Sequence, residues 1–414
     1  MKKLSLRDFF SDGLCIFIAL LPISLLSGEL IINIFTILIS IFFILELSYK
    51  KKFDFLNDWS FYLIIFLWLT FLINLIFSQD SSLGLFRSIG FLRFVLLVHA
   101  IKYIFLYREK DYKKTILNMW LIVFIVVNLD LVIEYFNGKN ILGFKSKLDG
   151  RLASFLNDEL KIGGYYLGFT FIAISTIYQF YNKKRLIFTT LLAIFLIISF
   201  IIGERSNFLK LFLISIFLSF IFFNKSRIKI FSTIALCFLI FLLIIFNDDK
   251  LKYRYVEQSN MNDITNNIYF KHYETAILIF EKYPIFGVGI KNFRIEIRNL
   301  VNDKFKDDKN YNNRHILTTH PHQINFELIA ETGLFGFLSY LIFMTISLFK
   351  AYKSYIFNRN ILLLSTGLFC FIYINPVLPS GSFFTTYAAT IFWINYGIML
   401  AFSNQKNEFI KTVK

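Results

Sequence analysis

Along the 414 residues, apolar stretches of roughly 17 to 22 residues alternate with shorter polar connections, each stretch about long enough to cross a bilayer core as a helix. The pattern predicts spans at 13–27, 30–47, 59–77, 88–106, 116–136, 163–181, 186–202, 207–223, 228–246, 323–349, 361–377 and 382–402. The expected fold class is an all-α polytopic membrane protein of about twelve transmembrane helices with one long periplasmic loop. Residues 1–246 would hold spans one to nine, 247–322 the long loop, and 323–414 the last three spans and a cytoplasmic tail.

Composition supports this reading. Hydrophobic residues make up 56% of the chain, 54 residues are Phe, and the mean hydropathy is +0.60, more apolar surface than a soluble domain of this length can cover. The net charge of +16 would suggest nucleic acid if it formed one face. Instead the basic residues precede span one and then follow alternate spans: Lys2, Lys3 and Arg7; Lys50, Lys51 and Lys52; Arg108, Lys110, Lys113 and Lys114; Lys183, Lys184 and Arg185; Lys225, Arg227 and Lys229; Lys350, Lys353 and Arg359; Lys406, Lys411 and Lys414. Short basic connections belong on the cytoplasmic side. Both termini are therefore expected there, with the long loop outside, membrane lipid as the surrounding partner and no nucleic acid.

No small-residue cleavage site follows span one, which reads as an uncleaved anchor. Cys15, Cys237 and Cys370 stand singly in apolar spans, without redox or metal spacing.

Within the long loop, Tyr269, Tyr273, Ala276, Ile277 and Phe280 recur at helical spacing until Pro284. That predicts an amphipathic helix lying on the membrane surface. Gly287 and Gly289 mark a tight turn, and the polar segment 306–314 is expected to be mobile.

The stretch THPHQINFELIAETGLFGFL, Thr319–Leu338, carries two of only five histidines. Pro321 suits a first helical turn because its missing N–H would lack a partner there. His322 would then sit at the positive end of the helix dipole, which favours a neutral ring able to accept a proton. At about 100° per residue, His322, Phe326, Ile329, Gly333, Gly336 and Tyr340 share a stripe, and the glycines would admit a neighbouring helix. Glu327 and Glu331 fall on the opposite side, at the interface or paired with an arginine. The alternative is a polar collar that merely caps the helix.

His322-Gln323, nine residues, then Gly333-Leu334-Phe335-Gly336 resembles the signature of the O-antigen ligase and polymerase superfamily. There, a His followed by Asn, Ser or Gln precedes Gly-x-x-Gly by nine residues. PIFGVGIKNFR (Pro284–Arg294), GERSNF (Gly203–Phe208) and RLASFLNDELKIGGYYLG (Arg151–Gly168) resemble further segments of that superfamily, with Ile290 where proline is commoner. The motifs cover Arg151 to Tyr340; the rest agrees only in hydropathy.

The resemblance implies a glycosyltransferase in the bacterial inner membrane, with its active site on the periplasmic side. It would move a glycan from an undecaprenyl-diphosphate donor to a hydroxyl acceptor. The acceptor is the lipid A core in ligases, a growing glycan in polymerases, and a protein hydroxyl in O-oligosaccharyltransferases. The form of the His motif favours the ligase.

Such chemistry needs a base and a cationic seat for the departing diphosphate. His322 is the candidate base, with inversion if attack is in line, or else a neutral ring that orients the acceptor. His320 would serve helix entry or support, with Gln323, Gly333 and Gly336 completing the motif. Arg205 is the first diphosphate candidate, since its fork matches phosphate oxygens in pairs; the alternative is an interfacial anchor. Glu204 would orient Arg205. Arg294 is a second candidate, with Arg254 and Arg151 behind it.

Asp158 and Glu159 form a carboxylate pair, but no third ligand accompanies them, so neither metal nor cofactor is expected. A polysaccharide transporter would share the span count, yet the two halves show no repeat. Arg93, His99, Lys102, Asp130, Glu134 and Lys210, inside spans, are functional candidates or one buried ion-pair cluster.

Overall fold

The computed structural model describes residues 6–157, 159–181, 185–222, 227–259, 268–304 and 317–404. Asp158, the segment 306–314, the tail 405–414, and Lys2, Lys3, Lys183, Lys184 and Lys225 lie outside the described residues.

The described chain is helical, and each predicted span overlaps helix, though 361–377 runs past a helix that ends at Ile372 and 382–402 starts ahead of one that begins at Thr386. In order these are α1 (Leu6–Ala19), α2 (Leu21–Leu26), α3 (Glu29–Lys50), α4 (Trp59–Phe77), α5 (Ser81–Gly90), α6 (Leu92–Tyr107), α7 (Lys110–Asn137), α8 (Ile162–Phe180), α9 (Arg185–Ile201), α10 (Arg205–Phe222) and α11 (Arg227–Asn247). There follow α12 (Asp249–Tyr255), α13 (Ile268–Lys282), α14 (Phe293–Lys304), α15 (Ile324–Asn358), α16 (Ile361–Ile372) and α17 (Thr386–Ser403). By length and composition five helical stretches can cross a membrane: Glu29–Lys50, Trp59–Phe77, Ser81–Tyr107, Lys110–Asn137 and Ile324–Asn358. Shorter apolar helices, such as Arg185–Ile201 and Ile361–Ile372, accompany them.

Polar side chains start several helices by accepting first-turn amides that have no partner within the helix. Asp58 does this for α4, Asp80 for α5, Asp248 for α12, Gln323 for α15 and Asn360 for α16. The last helix, α17, is the most enclosed. It packs against α3, α6, α8, α15 and α16, and Trp393 and Tyr396 are fully buried.

Several expectations are corrected. The buried polar residues form separate sets, not one ion-pair cluster. Lys102 pairs with Asp58 and bonds Ser60 at 3.0 Å. Asp130 accepts from the Ser154 hydroxyl at 2.6 Å and Glu134 from the Ser154 amide at 2.7 Å, which folds the 140–154 connection onto α7. Lys210 donates to the Pro379 carbonyl at 2.6 Å, and Arg93 to Thr386 at 3.2 Å.

The amphipathic helix exists as α13, but its buried face is turned relative to the expected one. His272, Tyr273, Thr275, Ala276 and Ile279 are buried, whereas Ile277 is exposed. This face packs on α15, with the Tyr273 ring stacked on Phe326 at 4.4 Å. Protein takes up this face, while Ile268, Phe270 and Ile277 stay exposed on the helix.

The Gly333–Gly336 stripe is not a helix–helix seam. At Gly333 the backbone leaves helical geometry (φ 63°, ψ −167°), so α15 is two helical segments across a break. The turn at Gly287 and Gly289 (φ 72° and 108°) docks into that break. Leu334 N donates to Pro284 O at 2.8 Å, Phe335 N to Ile285 O at 3.0 Å, Val288 N to Ala330 O at 3.0 Å and Gly289 N to Glu331 O at 2.9 Å. Backbone groups freed by the break are thus satisfied by the inserted loop. Asn74 of α4 clasps both segments, donating to Phe286 O at 2.6 Å and Glu331 O at 3.0 Å.

Candidate functional site

His322 does not occupy the first helical turn. Gln323 is the N-cap of α15, its side chain accepting from Phe326 N at 3.0 Å, so His322 precedes the cap and Pro321 lies outside the helix. His322 instead adopts the left-handed region (φ 56°), uncommon for a residue with a β-carbon. It is held there by the 373–385 connection, whose Ser380 amide donates to the His322 carbonyl at 2.7 Å. The Ser380 hydroxyl accepts from Ile324 N at 3.0 Å.

The alternating polar residues of HQINFE tie the same connection down. Gln323 donates to Asn375 O at 2.6 Å, Asn325 to Ile374 O at 3.0 Å, and Glu327 accepts from Phe383 N at 2.6 Å and from the Ser382 hydroxyl. Glu331 accepts from Phe293 N at 3.4 Å. Among the described residues neither glutamate forms an ion pair; both serve as loop anchors, and the arginine pairing, one of the two placements expected for them, is not formed.

Three imidazole rings meet at the head of α15. The His322 ring lies 4.2 Å from that of His320 and 5.5 Å from that of His272 on α13, with Tyr269 edge-on at 6.1 Å. His322 Nε2 is 3.2 Å from the Thr318 hydroxyl. Burial, then the neighbouring His272, lowers the His322 pKa to about 4. Burial, then His322, Arg294 and His272, lowers that of His320 to about 3. A buried site without a nearby anion penalises imidazolium, so both rings are neutral at physiological pH. Burial is the leading cause here, ahead of any helix dipole.

These histidines line a cavity of about 380 Å³ with Arg151, Lys161, Glu204, Lys210, Ser380 and Tyr387 among its other walls. Arg151 is fixed by Glu204 at 3.0 Å and by the Leu160 carbonyl at 2.6 Å. Glu204 also accepts from Gly163 N at 3.0 Å and from Asn207 at 2.6 Å. It therefore orients Arg151, rather than Arg205 as expected from adjacency. Lys161 pairs with Glu159 at 3.0 Å and Glu29 at 3.4 Å. Burial opposes its charge, but these carboxylates outweigh burial and hold its pKa above the usual lysine value.

Arg205 opens α10, ahead of the cavity residues Ser206, Asn207 and Lys210, but is not among the cavity walls. Arg254 donates to Gly203 O at 3.1 Å and to Gln258 at 2.7 Å; burial and then Arg151 and Arg205 lower its pKa. Arg294 lies within electrostatic range of His320 and of Lys291. Neither Arg254 nor Arg294 lines the cavity.

Sequence reasoning gave no role to His272 or Lys161. A signal was present for the first: four of the five histidines lie in the long loop. Lys161 sits inside a quoted motif, but nothing in linear spacing reveals that it faces His322.

Residues 190–341 match the family model described as O-antigen ligase. The match takes in the GERSNF, GVG and His–Gly-x-x-Gly segments, in agreement with the resemblance read from those motifs. No curated protein matches the chain.

Proposed function

We propose, from the O-antigen ligase match over 190–341, that the chain is a membrane glycosyltransferase. It moves a glycan from an undecaprenyl-diphosphate carrier to a hydroxyl of the lipid A core at the periplasmic face. The observation that carries this reading is the single cavity in which neutral His322 faces Arg151, Lys161 and Lys210.

In the proposed step the acceptor oxygen attacks the anomeric carbon and the bond from that carbon to the diphosphate oxygen breaks. The hydroxyl proton passes to His322, and undecaprenyl diphosphate leaves against the cations. In-line attack inverts the anomeric centre. A ring with a pKa near 4 is a weak base alone, but a bound diphosphate brings negative charge that raises its proton affinity. Arg151 offers paired donors to phosphate oxygens, already oriented by Glu204. Arg205 lies at the head of the helix that carries Lys210, where it would supply a further cation at the rim.

The strained backbone at His322 suits this role. A left-handed residue costs on the order of 1 kcal/mol and persists only where its surroundings enforce it. Ser380 supplies that enforcement.

In this reading the cavity's cations, rather than a metal, take the diphosphate charge, and transfer is expected to survive chelation by EDTA. The test of function is glycan analysis of a deletion strain complemented with wild type or His322→Ala. Carrier-linked polymer accumulating without lipid A–linked polymer supports the ligase; a single repeat unit on lipid A indicates a polymerase. Wild-type transfer by a membrane-inserted His322→Ala overturns the base.

A further inference from the structure

A second cavity, of about 460 Å³, opens at the other end of the bundle, walled by Tyr49, Lys50, Lys52, Tyr103, Tyr107 and Arg108. Helix α3 connects the two sites. Its first residue, Glu29, lines the His322 cavity and its last, Lys50, lines this one. The 22 residues of α3 rise about 33 Å at 1.5 Å each, close to a bilayer core. The second cavity therefore lies one membrane thickness from the first.

We propose that this cavity binds the phosphate headgroup of an anionic phospholipid, on the leaflet opposite the transfer site. Three observations carry the assignment. Among the described residues the three cations form one ion pair, Lys50 with Glu46 at 2.5 Å, and Ser11 bonds the same carboxylate at 3.2 Å. Lys52 and Arg108 form no ion pair with any described residue.

Arg108 also has two buried donors, Nε and Nη2, without a hydrogen-bond partner. Unmet buried donors on a guanidinium are costly, and its planar fork suits phosphate oxygens. Both α3 and α6 end at this cavity, where helix carbonyls repel anions, so the side chains alone must hold the ligand.

Thirdly, the surroundings suit a lipid rather than a soluble anion. Tyr49 and Tyr107 are 53% and 58% exposed, as interfacial tyrosines are at headgroup depth. Lys52 lies over the Tyr107 ring at 5.3 Å, held beside the cavity.

The test is native mass spectrometry of the full chain in detergent, titrated with phosphatidylglycerol or zwitterionic phosphatidylethanolamine. Wild type should retain phosphatidylglycerol preferentially, and each of Lys52→Gln and Arg108→Gln should lower that preference roughly five-fold. Lys353→Gln, a basic change elsewhere, should leave it unchanged, and millimolar inorganic phosphate should not displace the lipid. Melting in lipid-free detergent checks folding, and Lys52→Gln alone suffices if Arg108→Gln misfolds. Equal retention of both lipids, a preference that survives Lys52→Gln, an equal loss in Lys353→Gln, or displacement by inorganic phosphate overturns the proposal. None of these readouts depends on glycan transfer.

Discussion

Gly333 and Gly287 meet backbone to backbone. A β-carbon on Gly333 would stand 2.4 Å from the Gly287 nitrogen, and one on Gly287 would stand 2.5 Å from the Gly333 nitrogen. The two quoted motifs that contain them are therefore one structural unit: a glycine turn plugged into a glycine break, beneath the helix start that presents His322.

Gly333→Ala should consequently destabilise the protein by about 3 kcal/mol or more, because its dihedrals exclude a β-carbon and its neighbours are backbone. Gly336→Ala should cost less. Its backbone is not in the left-handed region, so only the contacts with Thr332 Oγ1 at 2.3 Å and Cβ at 2.4 Å have to be relieved. Thermal unfolding in detergent ranks the pair, and equal losses would refute the plug.

Glu204→Gln should weaken transfer through Arg151. The carboxylate holds Arg151 at 3.0 Å, and both side chains are mostly buried, where removing one partner leaves a poorly compensated charge. Arg151→Gln and Glu204→Gln should be non-additive, with a coupling of about 1–3 kcal/mol in kcat/KM. Simple additivity would mean that Glu204 acts on something else.

Much of this was legible in the sequence, and the failures share a cause. Periodicity located α3, α4, α7 and α13 because each has an uninterrupted apolar stripe. It missed the break at Gly333, since the residues on either side remain good helix formers and only the incoming loop makes the break favourable. Adjacency linked Glu204 to Arg205, but the start of α10 turns Glu204 toward Arg151, a contact between distant segments that linear spacing does not encode. The motif made His322 conspicuous, while Lys161 reaches its cavity and His272 reaches its ring only through tertiary packing.

Lys210→Met should raise the donor KM roughly ten-fold, the worth of one charge-assisted contact. The substitution keeps the apolar stem and removes the ammonium that lies over the Tyr373 ring and donates to Pro379 O. Arg205→Lys should do less, since Arg205 is not a cavity wall. Steady-state kinetics with a carrier-linked glycan gives the order, and a larger effect at Arg205 would return the diphosphate seat to the head of α10.

The histidines also set a pH dependence whose sign is fixed. The native His322 pKa is about 4 and that of His320 about 3, against about 6.5 for an unfolded histidine. Between those limits the unfolded chain binds protons that the native protein refuses, so stability falls as pH drops from 6.5 toward 4. His322 alone accounts for up to about 3 kcal/mol of that loss. His322→Gln should flatten the fall in melting temperature over this window. For catalysis, the neutral ring is the active form, so kcat/KM should show no acid limb near 6.5 and should decline only toward pH 4. The limb in kcat should lie higher, because bound diphosphate stabilises the imidazolium. A kcat/KM limb at 6.5 that vanishes in His320→Gln but persists in His322→Gln would move the base to His320.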